Sequence, residues 1–368
     1  MFSNVSTTFF CSKTRSLFLL LKKYSWSFLS VSFRAVSSLL VTKFFALNFG
    51  EQGITLLAHF QNLLSIPLLI SNEGIAKGLV KHNSIPNTSS EEQRAFFAAS
   101  FWLIIGFFLL FTLLLWFGKE VLLFHFVGQY SYSFWLICFS PFLLLSLFNL
   151  LFIAVFLSKN QIKIYAFCNL VNNLIAVSLL YGLEDLSFEN AILTYHFAAG
   201  LAFFVSFLIA LRKIPLSYFK ILPLPRLPFF NKIVKLIFAA TSIVIFDRLG
   251  NFILRIYVID TFDFYQTGLW QATLKLSDSY TQVFTATFLV LFFPKVVSLI
   301  HQKIALKKFL GQSLLFFVPI AILGLTFVYY FRVFFLELMF DTSFVAAESM
   351  LIYVVIADLF KFGNYFLG

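Results

Sequence analysis

Apolar runs of about twenty residues follow one another from residue 24 to the end of the chain, and this constrains the fold more than any other feature. Wound as a helix, such a run matches the roughly 30 Å hydrocarbon thickness of a bilayer. Inside hydrocarbon only α-helices and closed β-barrels satisfy every backbone polar group. The runs here are continuous and lack the period-2 alternation of barrel strands. The fold class expected is therefore all-α, a polytopic transmembrane helix bundle. Of the 368 residues 60% are hydrophobic and 12% charged, where a soluble domain carries about 25% charged residues. The 55 phenylalanines read as lipid-facing bulk in place of leucine.

Ten helices are expected, at about 24–47, 54–76, 96–117, 134–157, 163–182, 190–211, 233–257, 267–293, 309–331 and 347–368. Residues 1–23 carry their positive charge late, unlike a signal peptide, and read as a cytoplasmic N-terminal tail. Residues 212–232 contain Pro215, Pro223, Pro225 and Pro228, which resist helix formation. They divide the chain into an N-lobe of six helices, 24–211, and a partial C-lobe of four, 233–368.

Loop charge sets the orientation. Nineteen Lys and Arg residues fall in loops on one side of the ten helices, and two, Lys119 and Arg332, on the other. The basic side is cytoplasmic, and the net charge of +11 reports contact with anionic lipid rather than nucleic acid. A weak repeat recurs at an offset of 215 residues: Phe49-Gly50-Glu51-Gln52-Gly53 opens helix 2, and Phe264-Tyr265-Gln266-Thr267-Gly268 opens helix 8. Equal orientation of the two copies suggests parallel repeats about an axis along the membrane normal.

Ten charged residues remain inside the apolar runs: Arg34, Lys43, Glu73, Asp247, Arg248, Arg255, Lys275, Asp278, Asp358 and Lys361. Each costs roughly 2.5–3.5 kcal/mol at mid-membrane on insertion scales, so such residues mark an interior path or pocket. Lys43, Glu73 and Arg255 lie near helix ends and could snorkel to headgroups. Arg34 lies near mid-depth. Asp247 with Arg248, Lys275 with Asp278, and Asp358 with Lys361 form three acid–base sets, and the spacing of three puts Lys275 and Asp278 on a shared face. One reading is structural, with each set neutralising itself and joining helices. The other is a hydrated cavity whose cations meet an anionic substrate while carboxylates carry a coupling ion. His59, Gln61 and Asn62 add a polar stripe to helix 2.

Neither the five histidines nor the scattered Cys11, Cys138 and Cys168 show metal, disulfide or acyl-transfer spacing, and no P-loop occurs. No cofactor, no metal site and no catalytic residue is expected, and the chain reads as a transporter rather than an enzyme.

Four stretches carry a family resemblance: Leu40–Gly50 running on to Gly53 with Phe60–Leu63; Gly74-Ile75-Ala76-Lys77-Gly78-Leu79-Val80-Lys81; Gly268-Leu269-Trp270-Gln271 through Ser277-Asp278-Ser279-Tyr280; and Asp358-Leu359-Phe360-Lys361-Phe362-Gly363. From about residue 22 onward the chain resembles the Wzx-type lipid-linked oligosaccharide flippases. It is most similar to their enterobacterial lipid III flippase and O-antigen translocase branch, in the multidrug/oligosaccharidyl-lipid/polysaccharide exporter (MOP) superfamily.

The resemblance implies two six-helix lobes around a cavity. It also implies alternating-access transfer of an undecaprenyl-pyrophosphate-linked sugar repeat, of O-antigen or enterobacterial common antigen, across the bacterial inner membrane. Lys43, Lys275, Asp278, Asp358 and Lys361 match family motif positions. The implied partners are the lipid-linked oligosaccharide, membrane lipid, and a polysaccharide polymerase with its chain-length regulator. The substrate-binding set is Arg34, Lys43, Asn62, Arg248, Arg255, Lys275 and Lys361; the ion-coupling set is Asp247, Asp278 and Asp358. Against twelve helices, a second lobe ending in the tenth is incomplete, and a truncated remnant without transport is one alternative. A cation or drug antiporter of the same superfamily is another, and a polysaccharide-assembly membrane enzyme a third.

Overall fold

The computed structural model describes residues 4–83, 89–127, 133–183, 186–215, 227–291, 296, 299 and 302–367. Among them are eleven α-helices and no strand. In chain order these are α1 (Asn4–Ile70), α2 (Lys77–Asn83), α3 (Ser90–Val127), α4 (Ser133–Ser158), α5 (Ile162–Gly182), α6 (Phe188–Lys213), α7 (Leu227–Thr261), α8 (Phe264–Leu291), α9 (Lys303–Tyr330), α10 (Arg332–Met339) and α11 (Leu351–Leu367). Seven helical runs are long and apolar enough to cross a membrane, the longest being Leu29–Asn83. At 35 and 28 residues, α7 and α8 also exceed the length needed to span about 30 Å. The chain is a multi-pass helical membrane protein.

The first two expected helices are the arms of α1, which folds at Gly50. There φ is 61° and ψ −157°, a region that is essentially reserved for glycine. The ring of Phe188 shows how sharply the chain reverses. It lies 5.9 Å from the ring of Phe45 and 6.2 Å from that of Phe60, residues that a straight helix would part by about 22 Å. Beyond Pro67 the second arm widens into a π turn, Ser71–Ala76, before continuing as α2. Proline removes a backbone donor, and such widening re-houses the displaced hydrogen bonds.

Helix starts follow local chemistry. The Ser89 hydroxyl accepts from the Glu92 amide at 3.1 Å, and the Ser89 amide donates to Glu92 Oε2 at 3.2 Å, a reciprocal capping box that starts α3. Asp263 Oδ1 accepts from the Gln266 amide at 2.7 Å and starts α8 directly after the reversal from α7. Helix α7 begins at Leu227, earlier than the expected 233, because Pro228 falls in the first turn, where proline is tolerated. The middle of the expected linker, 216–226, lies outside the described residues. Residues 4–23, expected as a tail, are helical and continuous with α1.

The core of the first half is aromatic. Phe152 lies 5.9 Å from Phe203 and 5.7 Å from Phe207, and Phe101 stacks on Phe148 at 4.8 Å. Phe45, Phe96, Phe97, Phe156, Phe340 and Phe344 are fully buried. The expectation that phenylalanine serves mainly as lipid-facing bulk is therefore corrected. Offset and edge-on rings fill the interhelical space as well.

Two features position the site. The second arm of α1 runs along α8, and α7 lies against that arm, the π turn and α3 of the first half. The stretch after α9 also departs from expectation. Short α10 and a 3-10 segment, Thr342–Met350, precede α11, and Arg332 Nη2 holds Glu348 Oε2 at 3.2 Å across them.

Candidate functional site

Three helical segments bring three cations together. From α7, Arg248 Nη1 donates to Asn62 Oδ1 at 3.1 Å and Arg255 Nη2 to Gln271 Oε1 at 3.3 Å. From α8, Lys275 Nζ donates to Gln61 Oε1 at 2.5 Å. Spacing explains the convergence. Arg248 and Arg255 are seven apart, two turns on one face of α7, and Gln271 and Lys275 are four apart on α8. Gln61 and Asn62 lie on the second arm of α1, between them. Each cation is thus held by a neutral amide oxygen. Arg248 Nε also lies 3.5 Å from Asp247 Oδ2, whose side chain is 56% exposed. Among the described residues no salt bridge reaches Arg255 or Lys275.

The same groups leave donors over. Asn62 Nδ2, Arg248 Nε, Arg255 Nε and Nη1, and Gln271 Nε2 are buried without a hydrogen bond, and Asn62, Arg255 and Gln271 are themselves buried. A buried donor left unmade costs about 1–3 kcal/mol, more when charged. The site is donor-rich and poor in acceptors. That chemistry suits an oxyanion with several acceptor atoms, for which the planar guanidinium fork and the compact ammonium are complementary ligands.

Asp247 stays beside Arg248 as expected; the other two carboxylates lie elsewhere, and their expected sets are rearranged. Lys275 and Asp278 do not share a direction. Lys275 reaches α1, while Asp278, 63% exposed, meets Lys361 of α11 at 3.6 Å. Three residues advance a helix by 300°, so two side chains at that spacing diverge enough to find different neighbours. Asp358 is separated from Lys361 and buried at 3% exposure. The Ser277 hydroxyl lies 2.8 and 2.7 Å from its two carboxylate oxygens, and the Tyr280 hydroxyl donates to Oδ2. Of the three ion-coupling candidates, Asp358 is enclosed, whereas Asp247 and Asp278 are open.

Two other predicted residues stand apart from the cluster. Lys43 Nζ donates to the carbonyl of Leu338 at 2.8 Å, tying the first arm of α1 to the C-terminal end of α10, where a cation is favoured by the helix dipole. Arg34 is exposed on that arm, close enough to Tyr195 of α6 to interact electrostatically. His59 is fully buried, its ring edge-on to Phe252 at 6.3 Å. Sequence reasoning missed Gln271, Ser277 and Tyr280 as site residues, although all three lie in the Gly268–Tyr280 stretch. Gln271 stands four residues from Lys275, which was an available signal; Ser277 and Tyr280 meet Asp358 of another helix, which nothing in the sequence states.

The fold is a multi-pass helical bundle similar to that of MOP-superfamily transporters. An inward-facing multidrug resistance MATE family transporter of that superfamily superposes with a TM-score of 0.65 at 10% identity, covering 89% of this chain and 76% of its own. The lipid II flippase MurJ in an inward closed conformation gives 0.65 at 12% identity over 91% of this chain and 72% of its own. In sequence the chain is similar to the lipid III flippases of Escherichia coli (strain K12) and Shigella flexneri. Each is 23% identical over 352 residues, which is 95% of this chain and 84% of the relative. No protein-family model matches the chain.

Proposed function

We propose that the chain is a flippase for a lipid-linked oligosaccharide carried on a polyprenyl pyrophosphate, working by alternating access in a bacterial inner membrane. The observation that carries the reading is the donor-rich cluster of Arg248, Arg255 and Lys275: each cation donates to an amide oxygen, and buried N–H groups of Asn62, Arg248, Arg255 and Gln271 are left without a hydrogen bond. A pyrophosphate supplies many acceptor oxygens and negative charge to such a site. The lipid III flippases give the substrate class, and MurJ gives a second lipid-flipping protein of the same fold. In this reading Asp358, held by Ser277 and Tyr280, is the coupling carboxylate. Asp247 and Asp278 guide ions at the open edges, Lys43 ties the two lobes, and Lys361 joins α11 to α8 within the second. A six-helix N-lobe and a second lobe from residue 233 onward, with residues 1–23 on the cytoplasmic side, belong to the same reading, as do a polymerase and chain-length regulator as neighbours.

A second reading, a drug or cation antiporter, has in its favour the equal likeness to the MATE transporter and the buried Asp358. It calls for a site dominated by carboxylates, whereas the enclosed cluster here is cationic. Complementation separates the two. In a strain lacking the endogenous gene, the unaltered chain restores surface glycan, while Arg255→Gln and Lys275→Ala abolish it at unchanged membrane levels. Full restoration by both variants, or gain of resistance to cationic drugs without glycan, contradicts the flippase reading.

A further inference from the structure

A stripe of exposed apolar side chains runs along α9 and does not stop where that helix ends. Ile320, Leu323, Phe327, Phe331, Phe334 and Leu338 recur at steps of three and four residues, the spacing of one helix face, and all six are exposed. The first three belong to α9, where such a face meets the bilayer; Phe334 and Leu338, 56% and 54% exposed, belong to α10. The bend between the two helices lies at Phe331, with φ −95° and ψ 22°. The Phe331 amide still donates to the Phe327 carbonyl, and the Phe335 amide to the Phe331 carbonyl, both at 3.0 Å. The stripe therefore keeps its register across the bend.

Depth sets the surroundings of the second part. Lys308 and Arg332 bracket 23 residues without a charge, about 34 Å of helix and enough to cross the hydrocarbon. Helix α10 thus starts at the hydrocarbon boundary, and its exposed face lies at headgroup level, where aromatic side chains are enriched. The Tyr330 and Phe331 rings stand at that boundary, 5.3 Å apart. The opposite face of α10 is protein core, with Leu336 and Met339 buried alongside Phe340 and Phe344. Arg332 is turned to protein partners, to Glu348 Oε2 at 3.2 Å and over the Tyr329 ring at 4.8 Å. Exposed Glu337 borders the apolar face, within reach of water at that level.

We propose that α10 is an interfacial helix, seated by Phe331, Phe334 and Leu338 among the phospholipids of the leaflet at the Gly50 end of the bundle. Continuity with the bilayer-facing stripe of α9 names the occupant as lipid rather than protein. The seat has a consequence for the two halves of the chain. The Leu338 carbonyl is the acceptor for Lys43 Nζ at 2.8 Å, so the first arm of α1 is tied to an element that the lipid itself holds in place. Lipid contact at α10 thereby supports the tie between the halves, whatever the chain carries.

Photo-crosslinking of the full-length chain tests it, in proteoliposomes of phosphatidylethanolamine and phosphatidylglycerol. Benzoylphenylalanine is placed singly at 331, 334 and 338, and at exposed Ser343 of the 3-10 segment for comparison. The probe replaces exposed apolar side chains at the first three positions, so the fold is retained. Intact mass then shows phospholipid adducts at 331, 334 and 338 at least fivefold above those at 343. Adducts no more frequent than at 343, or crosslinking to a second copy of the chain in their place, overturn the assignment. The tie is read separately. The double variant Phe334→Gln, Leu338→Gln raises labelling of Lys43 by a water-soluble amine reagent at least threefold over the unaltered protein, as measured by peptide mass. Size-exclusion profiles confirm that this variant folds. Unchanged labelling of Lys43 overturns the link between the lipid seat and the tie.

Discussion

Gly268 at the start of α8 packs directly on the backbone of Glu51 at the fold of α1, where a Cβ on residue 268 would stand 2.2 Å from the Glu51 carbonyl oxygen. The Thr55 hydroxyl fastens the same junction by donating to the Phe264 carbonyl at 3.0 Å. The two copies of the weak 215-residue repeat thus meet each other. Gly268→Ala forces the helices apart, and overpacking of this kind costs about 1–3 kcal/mol. Gly250 provides the contrast, since a Cβ added there would meet nothing within 4 Å. Gly250→Ala in the interior of α7 stabilises by about 0.5–1 kcal/mol. Thermal unfolding in detergent gives opposite signs for the two alanines.

The fold of α1 depends on a backbone conformation that other residues avoid. Gly50→Ala places a side chain at φ 61°, ψ −157°, at a cost of about 1–3 kcal/mol. No atom lies within 4 Å of the added carbon, so the loss comes from the backbone alone. Gly50→Asn and Gly50→Ala are then expected to destabilise alike, because this region lies outside the left-handed well that asparagine tolerates. Comparing the unfolding temperatures of the two variants checks this.

Buried Asp358 depends on its two hydroxyl donors. Hydrogen bonds to charged groups contribute about 1.5–3 kcal/mol each, so Ser277→Ala and Tyr280→Phe singly lower stability by that order. Together they leave an uncompensated carboxylate, and the double variant loses more than the sum of the singles. Asp358→Asn in that background recovers much of the loss. A double-mutant cycle by thermal unfolding measures the coupling.

Lys43 donates to the Leu338 carbonyl in the last turn of α10. Lys43→Met removes one charge-assisted contact with the Leu338 carbonyl and a favourable helix-end charge, together about 0.5–1 kcal/mol for an exposed group. Thermal unfolding in detergent reads the loss.

The crossings were legible because run length and continuous hydropathy report a bilayer directly, and the fold of α1 at Gly50 falls between the two expected helices, although its first arm begins twenty residues earlier than expected. The Gly50 fold was visible as a glycine between two apolar runs, but the close contact between Glu51 and Gly268 was not, since nothing in a single chain states which helices touch. For the same reason Arg248, Arg255 and Lys275 were recognised as interior charges, while their amide partners were not. Gln61 and Gln271 are ordinary polar residues until α1, α7 and α8 are placed side by side. Lys275 and Asp278 were misjoined by treating a spacing of three as a shared direction. Short α10 escaped notice because 332–339 is too brief for a crossing and carries both Arg332 and Glu337.

The flippase reading stands or falls on whether Arg255 and Lys275, held by neutral amides, receive the anionic head of a lipid-linked glycan. Translocation of a fluorescent polyprenyl-pyrophosphate sugar in proteoliposomes measures this without intermediaries. The expected result is transfer by the unaltered protein and its loss, by at least tenfold, in Arg255→Gln and Lys275→Gln, with folding intact. Equal transfer by these variants, or none by the unaltered protein, contradicts it.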